Sequence, residues 1–153
     1  MTELPGGSAD AAGAVAGLTA ACGGGHGRAF VLSGAGRAWL LTDPDPRLLA
    51  SAVPDEPADL WQHVGGAVMT GLLFDRLWGI QDDERSVRAF HDPAEAIGAA
   101  DAGPGAGTAV LCCPMSADQV YEVAALGRKV PRKSTSFGPK PRTGLVLRLF
   151  AEG

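Results

Sequence analysis

The stretch Arg128–Phe150, RKVPRKSTSFGPKPRTGLVLRLF, decides how the rest of the chain is read. Between Arg128 and Arg148 it holds seven of the thirteen basic residues, every lysine among them, and no acidic residue. Pro131, Pro139 and Pro141 each remove a backbone donor and exclude a helix through this stretch. From Thr143 to Phe150 apolar and polar residues alternate, the pattern of a half-buried strand. A cationic, proline-constrained loop thus feeds a C-terminal core strand.

Working back from that loop, Ser116-Ala117-Asp118-Gln119 spells a capping box and opens a helix that Gly127 stops. Thr108 to Cys113 is a continuous apolar strand, and the glycines from 103 to 107 make the turn before it. Asp92-Pro93-Ala94-Glu95 supplies an N-cap, a proline at the first helical position and an acidic third residue, for a helix to about Ala102. Ser86–His91 reads as a short strand. The order strand, helix, strand, helix, basic loop, strand predicts a right-handed βαβ crossover.

Further upstream, Val68, Met69, Leu72, Leu73, Leu77 and Ile80 recur at helical spacing, and Gly79 supplies a stop, which predicts a helix over 66–78. Pro44 to Pro57 contains four prolines and reads as a connection, with one helical turn at Arg47-Leu48-Leu49. Arg28–Asp43 predicts a hairpin, AFVL and AWLL around Ser33-Gly34-Ala35-Gly36. Residues 1–7 are expected to be disordered, with Ser8 capping a weak Ala-rich helix through Cys22. The predicted fold is α/β (mixed α+β): residues 1–27 as a tail and weak helix, then a single domain over 28–153. That domain has a mixed sheet of about five strands, from an N-terminal β-hairpin to a C-terminal core strand, covered by three to four helices.

A chain of 153 residues suits one core, and its net charge of −4 argues against nucleic-acid binding, which needs basic character over a whole face. Positive charge confined to one loop points to a small anion or a protein partner. Cys22, Cys112 and Cys113 are too few for a disulfide framework and are expected to be reduced and structural. The N-terminus lacks a basic region and an uninterrupted apolar run, so no signal peptide or membrane span is expected and the cytoplasm is the default location. His26, His63 and His91 lack metal-ligand spacing, Asp82-Asp83-Glu84 reads as a solvated turn, and Trp39, Trp61 and Trp78 are expected in the core. No metal and no cofactor is expected.

The basic loop resembles a bacterial and archaeal family, domain of unknown function 1015. Its members end in a K-S-T-x-F-x-P-K run followed by an S/T-G-L-V strand. Here these are Lys133-Ser134-Thr135-Ser136-Phe137-Gly138-Pro139-Lys140 and Thr143-Gly144-Leu145-Val146. The likeness extends back through Leu77-Trp78-Gly79-Ile80, Phe90-His91-Asp92, and Pro114 before the Gln119-Val120 helix. Family members are longer, and their earlier half carries a D-G-H-H-R-Y-like motif resembling a nucleotide-using fold, which this sequence lacks. Where the family has an aspartate and a histidine on one helix, this chain has Gly65 and Thr70, and aromatic positions in the loop are Ser136 and Gly138. The resemblance implies a stand-alone version of the family's C-terminal half, partnered by a separately encoded N-terminal-half protein or by itself.

Lys133, Ser134, Thr135, Phe137, Lys140 and Arg142 form the candidate ligand- or partner-binding set. Lysines beside hydroxyls are the donors that a phosphate or carboxylate needs, and Gly138 permits close backbone approach. The spacing is not that of a Walker loop. No catalytic constellation is legible, so the sequence favours a non-catalytic binding module. The alternative is a small enzyme or phosphotransfer component acting on a nucleotide or phosphorylated substrate.

Overall fold

The computed structural model describes residues 1–23, 28–53 and 58–135, with the side chains of 58–60 excepted. Among these residues the sheet has four strands: β1 (Thr2–Glu3), β2 (Phe30–Gly34), β3 (Arg37–Leu41) and β4 (Ala109–Cys112). Their order is β1-β3-β2-β4 and every neighbouring pair is antiparallel. The helices are α1 (Ala11–Cys22), α2 (Pro46–Ala52), α3 (Ala58–His63), α4 (Gly65–Val68), a π-helix (Met69–Trp78) continuing α4, α5 (Pro93–Ala100) and α6 (Ala117–Ala125).

The sheet is central because both of its faces are covered, which is why β2 and β4 read as continuous apolar runs. Val31, Ala109, Leu111 and Cys113 point to a core shared with Ala14 and Leu18 of α1 and Ile97 and Ala100 of α5. Phe30, Val110 and Cys112 point the other way, to Leu49 of α2, Val68 of α4 and Leu72, Leu73 and Phe74 of the π-helix. Alternation along a strand thus splits one apolar run between two cores.

The α/β class is as the sequence predicts, and several details differ. The sheet is antiparallel, with more helices around it than expected; the expected strand over 143–150 lies outside the described residues. Ser86–His91 is not a strand. The Asp83 carboxylate accepts from the backbone of Arg85 and Ser86, and Val87 N–H bonds back to the Asp83 carbonyl, which curls the start of this segment into a turn. The bonds to the carboxylate, Ser86 N–H foremost, hold the Asp83 carboxyl below its usual range. The segment instead carries the chain from the core beside the π-helix to the core beside α5. A crossover does exist between strands of like direction, but it joins β3 to β4 with β2 between them.

The N-terminus is ordered into the sheet rather than a tail. Thr2 and Glu3 pair with Leu40 and Trp39, and the Arg37 guanidinium grips the Glu3 carboxylate through two bonds of 2.8 and 3.0 Å. The cap of α1 is Asp10, which accepts from Gly13 N–H, rather than Ser8. Ser8 is buried and bonds Asp101, which also accepts from Gly36 N–H. These two bonds, Ser8's the larger, depress the Asp101 carboxyl.

The capping signals of α5 and α6 act as read. Asp92 accepts from Ala94 N–H, Ser116 and Gln119 exchange reciprocal bonds, and Gly79 and Gly127 end their helices at positive φ. Helix α2 exceeds the single turn expected, because Asp45 caps it and Pro46 occupies its first position. Of the tryptophans, Trp61 packs against a core, Trp39 is half-buried beneath the Arg37 guanidinium, and Trp78 is 39 % exposed on top of Phe74.

The hairpin is where the sequence places it, but its turn is tighter than expected: Ser33 and Gly34 belong to β2, Gly34 lies opposite Arg37, and only Ala35 and Gly36 make the turn. Both turn residues are left-handed, Ala35 at φ 52° and Gly36 at φ 77°, as a type I′ turn requires. A left-handed alanine costs about 1–2 kcal/mol, and asparagine tolerates that region. Ala35→Asn is therefore expected to stabilise the fold by about 1 kcal/mol, read as a thermal midpoint roughly 2–4 °C higher. An unchanged midpoint would show that the turn relaxes at no cost.

The cysteine reading is corrected. Cys22 and Cys113 form a disulfide across 91 residues, with Cα atoms 5.8 Å apart. Neighbours on β4 face opposite ways, as expected, and this turns Cys113 toward the end of α1 while Cys112 stays a free thiol. Burial pushes the Cys112 thiol up.

Candidate functional site

After Gly127 the basic segment runs back over α4 and the π-helix. Its anchor is Arg132, whose guanidinium bonds the Asp82 carboxylate at 2.7 Å and donates to the carbonyls of Asp83 and Val87. Ser134 lies directly on Gly66: a Cβ at that glycine would stand 2.7 Å from the Ser134 hydroxyl. Gly71, on the next turn, faces the Ala52 carbonyl at the end of α2, too near for any side chain. Two glycines therefore let the basic segment and α2 close on the same helix.

Between these elements lies a cleft of about 470 Å³, within the range of small-molecule sites. Trp61, Ile80 and Pro131 give it apolar walls, while Thr70, Asp75 and Lys129 bring polar groups. The π-helix matters to this arrangement. Its backbone bonds run from i to i+5, so Thr70 and Asp75 stand one turn apart and both line the cleft. At the 3.6 residues per turn of an α-helix, five positions rotate a side chain about 140° away. The same widening explains why Leu77, placed on the buried face by α-helical spacing, is 54 % exposed while Phe74 is buried.

The Thr70 hydroxyl is buried and has no partner among the described residues, and the same is true of Ser134. Leaving a buried hydroxyl unsatisfied costs roughly 1–3 kcal/mol, so the Thr70 hydroxyl, which lines the cleft, calls for an explanation. Lys129 and Asp75 have exposed side chains that enter no ion pair among the described residues.

The six residues singled out from the sequence divide. Lys133 is exposed at φ 60° and does not line the cleft; Ser134 and Thr135 are half-buried, with the Ser134 hydroxyl turned in against Gly66. Phe137, Lys140 and Arg142 lie outside the described residues. Sequence reasoning missed Thr70, Asp75 and Trp61 as a group, and it counted Lys129 only as part of the basic run. The one available signal was the helical spacing around Gly66 and Gly71, which conceals a π register.

Other candidate groups have structural employment. Arg28 points a guanidinium nitrogen at His63 Nε2, 2.9 Å away, and because a guanidinium can only donate, that ring nitrogen is the acceptor. Gln119 donates to the His63 carbonyl, which ties α6 to the end of α3. A second depression, about 540 Å³, lies between the hairpin turn and Gly103–Gly107, but it is lined by glycine, alanine and proline with an already bonded Asp101. Among the described residues no three metal-ligating side chains group together, and no helix is long and apolar enough to cross a membrane. Comparison with protein-family models, curated proteins and solved structures finds no match.

Proposed function

We propose that this chain is a binding module whose ligand, a small organic anion, sits in the cleft between the π-helix and the basic segment, held by Lys129. The observation that carries this reading is the buried Thr70 hydroxyl, without a partner among the described residues, in a cleft that also holds the Lys129 ammonium, unpaired among the same residues, and the Trp61 side chain. Arg132 is committed to Asp82, so it braces the site rather than binding. The resemblance to domain of unknown function 1015 agrees with this location, since Thr70 stands where that family has its helix histidine. A protein partner completing the module through Lys133, Lys140 and Arg142 fits the same resemblance. The Cys22–Cys113 bridge favours an oxidising compartment over the cytoplasm.

The test is calorimetric titration of 4-methylbenzoate and of adenosine monophosphate into the wild type, Lys129→Ala and Lys133→Ala, at low and physiological salt. Lys129→Ala is expected to weaken binding about tenfold, with binding falling as salt rises, and Lys133→Ala to change it little. No binding to wild type, or equal binding by wild type and Lys129→Ala, removes the reading. Release of phosphate from the nucleotide would replace it with the phosphotransfer alternative.

A further inference from the structure

We infer that the cleft selects an aromatic zwitterion: a planar ring against Trp61, an anionic group on Lys129 and an ammonium on Asp75. The inference rests on the binding reading above and goes beyond it by naming the ligand's second charge. Asp75 and Lys129 both line the cleft, yet they form no ion pair within 4.0 Å. Neither bonds another side chain among the described residues, so one carboxylate and one ammonium stand uncommitted in the same concavity. The remaining ionic residue in the lining, Asp82, is neutralised by Arg132. An anion alone would pair Lys129 but meet repulsion from Asp75, and a cation alone would suffer the converse. A ligand bearing both signs pairs each, while a flat body suits the wall formed by Trp61, Ile80 and Pro131. Thr70, one π turn before Asp75, places its orphan hydroxyl on the same wall and can accept from the ammonium or donate to the anionic group.

The experiment uses three benzene derivatives: 4-(aminomethyl)benzoate, which carries both charged groups, 4-methylbenzoate, which lacks the ammonium, and benzylamine, which lacks the carboxylate. Each is titrated calorimetrically into the full chain and its Asp75→Asn and Lys129→Gln variants. Wild type is expected to bind the zwitterion at least tenfold more tightly than either singly charged compound. Asp75→Asn should erase the advantage over 4-methylbenzoate while leaving 4-methylbenzoate itself as tight or tighter, and Lys129→Gln should erase the advantage over benzylamine. Because both side chains are exposed, the variants should keep the wild-type melting temperature, which is measured alongside. Equal binding of 4-methylbenzoate and the zwitterion, with no effect of Asp75→Asn, overturns the zwitterion and leaves the anion reading standing. Benzylamine binding as tightly as the zwitterion overturns the inference from the other side. No binding of any compound overturns both.

Discussion

Opening the Cys22–Cys113 bridge is expected to lower the unfolding free energy by about 4–5 kcal/mol, the value that chain entropy assigns to a cross-link spanning 91 residues. The bridge joins the end of α1 to the end of β4, and α1 contributes only Ala14 and Leu18 to the buried core. Its helix is rich in alanine and glycine, so little apolar area holds it to the sheet once the covalent tie is lost. Urea denaturation of the wild type with and without dithiothreitol, and of a Cys22→Ala/Cys113→Ala variant, measures the effect. Thiol titration of the unfolded chain provides the control: one thiol before reduction and three after, since Cys112 is free. Three thiols without reductant, or an unchanged urea midpoint, would show that α1 docks through packing alone.

Gly71→Ala is expected to cost about 2–3 kcal/mol, although alanine exceeds glycine in helix propensity by about 1 kcal/mol. The added methyl would run into the Ala52 carbonyl, a backbone atom at the end of α2 that cannot rotate away as a side chain can. Helix α2 and the π-helix must then separate, loosening the core formed by Leu49, Val53 and Leu72. Gly98→Ala provides the comparison, because nothing lies within 4 Å of its Cβ position in α5. That substitution should stabilise by several tenths of a kcal/mol to 1 kcal/mol. If Gly71→Ala behaves like Gly98→Ala in thermal and urea unfolding, the close approach of the two helices is not the native packing.

The cleft depends on the same approach. Gly66 and Gly71 bring the basic segment and α2 onto a helix whose π register aligns Thr70 with Asp75. None of these residues carries a chemical signature by itself. A threonine, an aspartate and a tryptophan scattered over fifteen positions become a site only when the helix winds more widely than an α-helix. A basic run is conspicuous in a sequence, yet charge says nothing about which cation will be neutralised. Folding spends Arg132 on Asp82, fifty residues upstream, and leaves Lys129 facing the cleft.

The sequence by itself determined what local chemistry controls: the hairpin over Arg28–Asp43, the Asp92 and Ser116 caps, the stops at Gly79 and Gly127, and the α/β class. Each of these follows from backbone preferences and hydrogen bonds within a few residues. Tertiary structure alone decided the rest. It ordered Thr2–Glu3 as an edge strand because Arg37 and the free side of β3 were there to receive it. It denied Ser86–His91 a ladder, since a strand exists only where another strand offers its donors and acceptors. It joined Cys22 to Cys113 because β4 turns alternate residues to opposite faces and α1 ends beside one of them. Strand pairing, disulfide pairing and cleft formation all depend on groups distant in sequence meeting in space, and no pattern within a single segment encodes that meeting.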